Sequence, residues 1–210
     1  MNNDFKTISL ISAAHGLSHC SALLFPPLFP YMKDELGVSY AALGFMAAVF
    51  YAFSAIFRPV AGFVVDRYGP RAVLPGGIAL LAGGVLIGGL FPSYAGLVVG
   101  SGVAGLGNSV FHPADYAIMN SRVSAQRLPY AFCAHGVVGY LGFAAAPIFG
   151  ASLAPWLGWK ATLLPGAGVG FAVLAVLLLN SASLKVERQA PPKQSAPFAE
   201  QMGVIFSTRW

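Results

Sequence analysis

The sequence contains few charged residues for its length. Asp, Glu, Lys and Arg make up 9% of its 210 residues, whereas hydrophobic residues make up 57%. Soluble domains carry roughly 25% charged residues, so this chain has too little polar material to cover a surface that faces water. Cysteine is also scarce, and because Cys20 and Cys133 both fall inside apolar runs we interpret them as free thiols. The composition therefore predicts a membrane protein.

The net charge of +5 does not indicate a nucleic-acid partner. A nucleic acid is bound by one continuous basic patch, whereas the Lys and Arg residues here lie in separate short loops. The anionic head groups of a lipid bilayer explain these residues better.

Six apolar runs are separated by short polar loops, and each run is long enough to cross a membrane with some tilt. Open strands would leave backbone groups unpaired in lipid, so all six runs are predicted to be helices. The first run continues without a cleavage site, so we do not expect a removable signal peptide. The predicted spans are about Thr7–Pro30, Val38–Val65, Arg71–Phe91, Tyr94–Asn120, Leu128–Ala154 and Gly158–Asn180.

The composition changes after Asn180. The segment Ser181–Pro197 is rich in Pro, Ser, Ala, Gln and Lys, which is typical of a flexible linker. Apolar residues then recur at helical spacing from Phe198 to Ile205, which predicts a short amphipathic helix. We therefore divide the chain into a transmembrane bundle, residues 1–180, and a cytoplasmic linker, residues 181–210.

Lysine and arginine are distributed unevenly between the two sides of the membrane. If the N-terminus is cytoplasmic, nine of them lie on the cytoplasmic side and two on the outer side, so both termini are expected to be cytoplasmic. The predicted location is the inner, or plasma, membrane, with Trp156 and Trp159 at its outer interface. The nine are Lys6, Arg67, Arg71, Arg122, Arg127, Lys185, Arg188, Lys193 and Arg209, and the two are Lys33 and Lys160.

A short charged turn connects the second and third runs. Gly62 allows another helix to approach closely, Asp66 requires a compensating positive charge from Arg67, Arg71 or a helix N-terminus, and Gly69 can end a helix in the left-handed conformation. The pattern G-x3-D-R-x-G-x-R resembles the signature loop of the major facilitator superfamily. The resemblance implies that this loop takes part in conformational gating.

The same resemblance implies an architecture. It predicts an all-α polytopic protein whose six helices form 3+3 inverted repeats, as the N-terminal half of a twelve-helix carrier with a second six-helix half as partner. The motif P-x-x-G, which occurs at Pro59–Gly62 and again at Pro147–Gly150, supports such a repeat.

Ionisable residues inside the spans fall on the first, second, fourth and fifth helices only. Buried ionisable groups in a membrane face a cavity, so these helices are expected to line it while the third and sixth face lipid. Four of the groups lie at a similar depth, roughly 10–12 Å from the cytoplasmic end. We therefore predict a water-filled cytoplasmic vestibule. The residues are His15, His19, Arg58, His112, Asp115 and His135.

His15 and His19 are four residues apart and share one helix face. They could bind protons, a transition metal or an anionic substrate, or they could only form hydrogen bonds between helices. No cysteine, glutamate or further histidine shares a short motif with them, so no metal or other cofactor is expected.

The fourth helix carries the run Gly105–Tyr116. Asn108, His112 and Asp115 are spaced by four and three residues and should share a face, and Pro113 should bend the helix. The Gly-x-Ser-Val-Phe-His-Pro part resembles the fosmidomycin-resistance type of exporter, as does a first-helix histidine at the position of His15. Those exporters generally have a glutamate where Ala114 stands, and His19 replaces another family acid. Asp115 and the histidines would then have to carry the protons.

Two further features have more than one interpretation. Arg58 could neutralise an anionic substrate, pair with Asp115, or extend to the cytoplasmic interface. Gly142–Ala151 resembles a degenerate glycine-proline motif of superfamily antiporters, which favours export, but it could also be a helix-packing stretch of small residues.

We predict a proton-coupled secondary carrier that exports a small organic molecule by alternating access. An alternative is a six-helix piece that does not transport alone and assembles with another half. An intramembrane serine protease is not favoured, because Ser101 lies near the outer end of its helix, far from most of the histidines.

Overall fold

A computed structural model of the chain describes residues 3–186, and the regular structure within that part is helical. This confirms the prediction of an all-α fold for these residues. Short 3-10 turns lie at Pro26–Leu28 and Ser181–Leu184. The helices are α1 (Asn3–Ala22), α2 (Phe29–Leu36), α3 (Tyr40–Tyr68), α4 (Pro70–Leu90), α5 (Tyr94–Asn108), α6 (Phe111–Arg122) and α7 (Leu128–Leu179).

Five helical stretches of the described chain are long and apolar enough to cross a membrane, whereas the sequence predicted six. The difference arises in α7, whose 52 residues join the last two predicted spans. Gly158 interrupts α7 with φ 75° and ψ 162°, a backbone conformation that is essentially restricted to glycine. The five stretches are Asn3–Leu36, Tyr40–Tyr68, Pro70–Leu90, Tyr94–Arg122 and Leu128–Leu179.

The chain reverses direction at Gly158. Before the break, Gly142 packs against Gly16 of α1; after it, residues 159–179 run antiparallel to α4, with Gly170 against Ala82. Arg71, near the beginning of α4, then donates a hydrogen bond to the Ser181 hydroxyl over 3.3 Å. The part of α7 after Gly158 therefore returns to the end of the bundle at which α4 begins.

Two of the other membrane-crossing stretches are also interrupted. The first, predicted as Thr7–Pro30, consists of α1, the 3-10 turn and α2, and it ends at Gly37 with a left-handed φ of 65°. In the fourth, α5 ends at Asn108 and α6 begins at Phe111. Pro113 has no N–H to bond the carbonyl of Ser109, so the predicted bend lies one turn before the proline.

Small residues bring neighbouring helices into direct backbone contact. A methyl group added at Gly84 in α4 would lie 2.4 Å from the carbonyl oxygen of Gly100 in α5. One added at Gly142 in α7 would lie 2.2 Å from the carbonyl oxygen of Gly16 in α1. Gly142 therefore packs helices closely, which was one of the two interpretations of its glycine-proline stretch.

Polar contacts tie the helices together at one end of the bundle. Asp4 accepts hydrogen bonds from the Ser124 hydroxyl (2.7 Å) and from Arg127 (3.5 Å). The Thr7 hydroxyl donates to the carbonyl oxygen of Ser183 over 3.4 Å. Both ends of the described chain therefore lie at the same end of the bundle.

The opposite end is held by Glu35, which pairs with Lys160 and accepts a 2.6 Å hydrogen bond from the Trp159 indole nitrogen. Trp159 is 1% exposed and packs in the core. Trp159 therefore lies at the end of the bundle that holds Glu35, with its ring inside the fold and its indole nitrogen hydrogen-bonded there. Trp156, by contrast, is 87% exposed.

The turn between α3 and α4 has the expected positive φ at Gly69 (86°). A methyl group added at Gly62 would meet nothing within 4 Å, so no helix of the described chain approaches Gly62 closely, which differs from the prediction. Asp66 is exposed, and Arg71, one of the groups considered to compensate it, donates a hydrogen bond to Ser181. Arg67 lies over the ring of Tyr68 at 5.6 Å.

The predicted linker begins inside the bundle. Ser181–Leu184 forms a 3-10 turn, and Leu184 is 1% exposed. Residues 187–210, which include the rest of the predicted linker and the amphipathic segment, lie outside the described residues.

Candidate functional site

Five ionisable side chains from three helices meet inside the bundle. The ring centroid of His15 in α1 lies 4.3 Å from that of His19, 5.1 Å from that of His112 in α6 and 3.6 Å from that of His135 in α7. Asp115, one turn after His112 in α6, completes the group. The sequence placed His15, His112 and His135 at a similar depth, and the structure brings all five side chains together.

Asp115 lies at the centre of this group and is 0% exposed. Its Oδ2 atom is 3.1 Å from Nε2 of His135, which is hydrogen-bonding distance, and 3.6 Å from Nδ1 of His15. Its Oδ1 atom has no hydrogen-bond partner in the structure. A buried carboxylate is costly unless it is paired, so the two imidazoles are the groups that compensate Asp115.

The rings of His15 and His135 are stacked, with 3.6 Å between their centroids and 18° between their planes. Gly139 provides the space for this stack. A methyl group at Gly139 would lie 2.9 Å from Cδ2 and Nε2 of His15 and 3.1 Å from Cε1 of His19. We call Asp115, His15 and His135 the buried triad.

The buried triad has the donor types of a metal site. Its three potential ligand atoms lie within 4.8 Å of one another. However, the lone pair of an imidazole nitrogen lies in the ring plane, and the planes of His15 and His135 are nearly parallel. Their lone pairs therefore do not converge on one point, and a metal ion would require one ring to turn. The geometry of the buried triad therefore suits a proton shared between its side chains better than a bound metal ion.

A cavity of about 320 Å³ lies beside the buried triad. It is lined from α1, α3, α5, α6 and the part of α7 before Gly158, and no lining residue comes from α4 or from residues 159–179. Its polar lining residues are Ser18, His19, Tyr51, Ser54, Arg58, Asn108 and His112, with Phe111 and Phe143 beside them.

The predicted vestibule is therefore divided into two parts. His15, His135 and Asp115 are buried at 3% exposure or less and do not line the cavity. His19 and His112 do line it, while their rings also contact His15. The depth of each residue along its helix could be counted from the sequence. The rotation of each helix about its own axis, which buries His15 and leaves His19 at the cavity, could not.

Arg58 and Asn108 meet at Ser54, a residue that sequence reasoning missed. The Ser54 hydroxyl accepts a 2.8 Å hydrogen bond from Nδ2 of Asn108 and a 3.4 Å hydrogen bond from Arg58. The considered pairing of Arg58 with Asp115 is not present, because the histidines surround Asp115. Ser54 precedes Arg58 by four residues on one helix face, which is the only sequence signal for this contact.

Two further nitrogen atoms at the cavity lack partners. Nδ1 of His19 and Nδ1 of His112 are buried and form no hydrogen bond in the structure. A buried nitrogen without a partner is suited to accept a hydrogen bond from, or donate one to, a water molecule or a ligand group. The site therefore combines fixed donors on Arg58 and Asn108 with imidazoles that remain free to bind.

A bundle of long apolar helices around a polar, histidine-rich cavity is the architecture of a polytopic membrane protein with an internal polar cavity. The chain belongs to the Major Facilitator Superfamily, whose family model matches residues 11–210. The family assignment agrees with the sequence-based prediction of a transporter and not an enzyme.

Similar proteins include efflux and resistance transporters. The fosmidomycin resistance protein of Escherichia coli (strain K12) is 26% identical over 175 residues, which cover 83% of this chain and 41% of that protein. The cephamycin export protein CmcT of Amycolatopsis lactamdurans is 26% identical over 166 residues, 79% of this chain and 34% of that protein. The chain thus spans less than half the length of each relative.

Solved structures of transporters share the fold. The POT family transporter PepTSo aligns with a TM-score of 0.79 and 16% identity, covering 98% of this chain and 43% of its own. A bacterial homologue of the human lysosomal transporter Spinster, inward-facing and unoccupied, aligns with a TM-score of 0.78 and 13% identity, covering 95% and 47%. At these identities the likeness establishes the fold alone.

Proposed function

We propose that this chain is one six-helix half of a proton-coupled secondary carrier that exports a small organic molecule by alternating access. The two parts of α7 on either side of Gly158 each count as one crossing, which gives six. The six crossings would form two inverted three-helix repeats.

The observation that carries this proposal is the position of the cavity directly beside the buried triad. Substrate groups and proton-binding groups must be close for one to drive the other. His19 and His112 line the cavity and contact His15 of the buried triad. A change in charge at the buried triad therefore acts on whatever occupies the cavity.

Each group has a distinct role in this proposal. Arg58 and Asn108 hold the substrate, and Ser54 positions both of them. Protons bind at Asp115 and at the four histidines, because imidazole changes charge near neutral pH. When the halves rock, the cavity opens alternately to the two sides of the membrane.

The orientation follows from the excess of basic residues. We place the end of the bundle that holds Asp4 and Arg127 in the cytoplasm, with both termini, and the Glu35–Lys160 end outside, in the inner membrane of the cell. The turn with Gly62, Asp66, Arg67, Gly69 and Arg71 then lies at the cytoplasmic face. There it would act as a gating element against the second half.

The proposal is tested by transport in vesicles that carry the intact transporter containing this chain. Fosmidomycin, the compound in a relative's name, serves as the first probe, and an imposed pH gradient supplies the driving force. Asp115→Asn combined with His15→Ala should abolish gradient-driven flux. Asp34→Asn, which removes an exposed acid at the other end of the bundle, should leave it unchanged. Undiminished gradient-driven flux in the double variant would show that these residues do not couple protons.

A second candidate is that the half is inactive alone and acts only in assembly with a partner. The chain spans less than half the length of each relative named above, which favours this candidate. Flux through purified Met1–Trp210 in liposomes separates the two candidates. Flux by this piece alone would exclude the need for a partner.

A further inference from the structure

We infer that the buried triad of Asp115, His15 and His135 binds one proton at a time, shared between its two stacked imidazoles. The triad would thereby contribute one proton to each transport cycle. That contribution depends on the proposed carrier function, whereas the number of bound protons depends only on the structure of the triad.

The first reason is that the triad contains a single anion. Asp115 is the only buried acid among residues 3–186. Nε2 of His135 is within hydrogen-bonding distance of its Oδ2 atom, at 3.1 Å, and Nδ1 of His15 lies 3.6 Å from the same atom without forming a hydrogen bond. One added proton makes the triad neutral, which burial favours. A second proton leaves a net positive charge away from water, which burial disfavours.

The second reason is the stacking of the two rings. Two imidazolium ions in the places of His15 and His135 would have their centroids 3.6 Å apart. Two like charges repel strongly at that separation. A proton on one ring therefore disfavours a second proton on the other.

Among residues 3–186, the ionisable side chains around the triad do not offset this repulsion. His19 and His112 face His15 from α1 and α6, at ring distances of 4.3 and 5.1 Å, and each is neutral or positive. The Tyr116 ring lies 5.7 Å from that of His135, and its hydroxyl is neutral near pH 7. Arg58 of α3 lines the adjacent cavity with a permanent positive charge. The ionisable groups around the triad therefore disfavour a second proton.

The experiment counts protons on individual histidines of the purified chain. Nitrogen-15 labelled histidine is followed by NMR from about pH 8.5 to about pH 5, the range around the ordinary imidazole pKa. Signals are assigned by their loss in His15→Gln and in His135→Gln. The protonated fractions of the two triad rings should sum to one in the wild-type chain. In either single variant the remaining ring should still take up one proton.

Independent histidines would behave differently, with a sum of two in the wild type and one in each variant. The inference would be overturned if the protonated fractions of the two wild-type rings reached a sum of two in this pH range. It would also be overturned if the sum stayed at zero down to about pH 5. Asp115→Asn should remove proton uptake by the triad from this range, and uptake that persists there would exclude Asp115 as the partner. Asp34→Asn is the matched control and should leave the sum at one. Circular dichroism and gel filtration verify that each variant is folded.

This measurement is independent of the transport assay. A sum of one together with absent proton-driven flux would leave the inference about the triad intact and remove the proposed function. Proton-driven flux together with a sum of two would support the proposed function and overturn the inference about the triad.

Discussion

Replacing Gly139 by alanine should separate the stacked rings of the buried triad. The added methyl group would lie 2.9 Å from two atoms of the His15 ring, closer than carbon and nitrogen atoms normally approach. The ring cannot simply move away, because it is 3% exposed and stacks on His135. Overpacking a core by a methyl group costs about 1–3 kcal/mol.

Gly136 supplies a matched control three residues earlier in the same helix. A methyl group there meets nothing within 4 Å. Both substitutions gain the helix propensity of alanine over glycine, about 1 kcal/mol, so this gain cancels when the two variants are compared. Gly139→Ala should therefore be less stable than Gly136→Ala by about 1–3 kcal/mol.

The assay is thermal unfolding of both purified variants in the same detergent, followed by circular dichroism. Histidine NMR of the same samples reports whether the environment of His15 has changed. Gly136→Ala should unfold at or slightly above the wild-type temperature. Equal stability of the two alanine variants, with unchanged His15 signals, would refute the argument that Gly139 makes room for the stack.

Three other substitutions test separate parts of the structure. Gly84→Ala forces two helix backbones apart and should lower the unfolding temperature clearly, whereas Gly83→Ala, which meets nothing within 4 Å, should not. Gly158→Ala places a side chain at φ 75° and should cost about 1–3 kcal/mol in chemical unfolding, while Gly168→Ala in the helix that follows should be neutral or stabilising. Ser54→Ala removes the acceptor shared by the amide and the guanidinium of the cavity and should raise the KM of transport about tenfold, the effect of losing one or two hydrogen bonds, with kcat less affected.

Much of the fold could be predicted because membrane helices are recognised in a sequence by the length and the apolar composition of each run. The loop at Gly69 was recognised from residue types whose conformations are restricted, and its positive φ is confirmed. The number of spans was harder to predict. Gly158 turns the chain without a polar loop, so the last two predicted spans form one helical stretch, α7, with an internal break.

The members of the site could be predicted more easily than their arrangement. Polar side chains are rare in apolar runs, so the four histidines and Asp115 were recognised by type alone. Asn108, His112 and Asp115 were expected to share a face because of their spacing. The break between α5 and α6 changes that, since Asn108 bonds to Ser54 while Asp115 contacts His135.

Ser54 could not be recognised because serine is common in membrane helices and carries no charge. Its importance follows from a tertiary contact across 54 positions of sequence, between α3 and α5. The same applies to Gly139, whose small size matters only because His15 lies opposite it. Contacts of this kind depend on how helices rotate against each other, which a single sequence does not report.

The arrangement also explains how substrate and proton could influence each other in the proposed carrier without touching. His19 and His112 line the cavity, and their rings lie 4.3 and 5.1 Å from His15 of the buried triad. A charge on a substrate at the cavity wall and a proton on the triad would thus be separated by one ring. A substrate in contact with such a ring would lie roughly 8–9 Å from the triad, and with an effective dielectric constant near 20 two unit charges then interact by on the order of 2 kcal/mol. That is about thirtyfold in affinity, which is the size of coupling that links two sites in many proteins. A charged substrate therefore needs no direct bond to Asp115 for its binding to depend on whether the triad holds a proton.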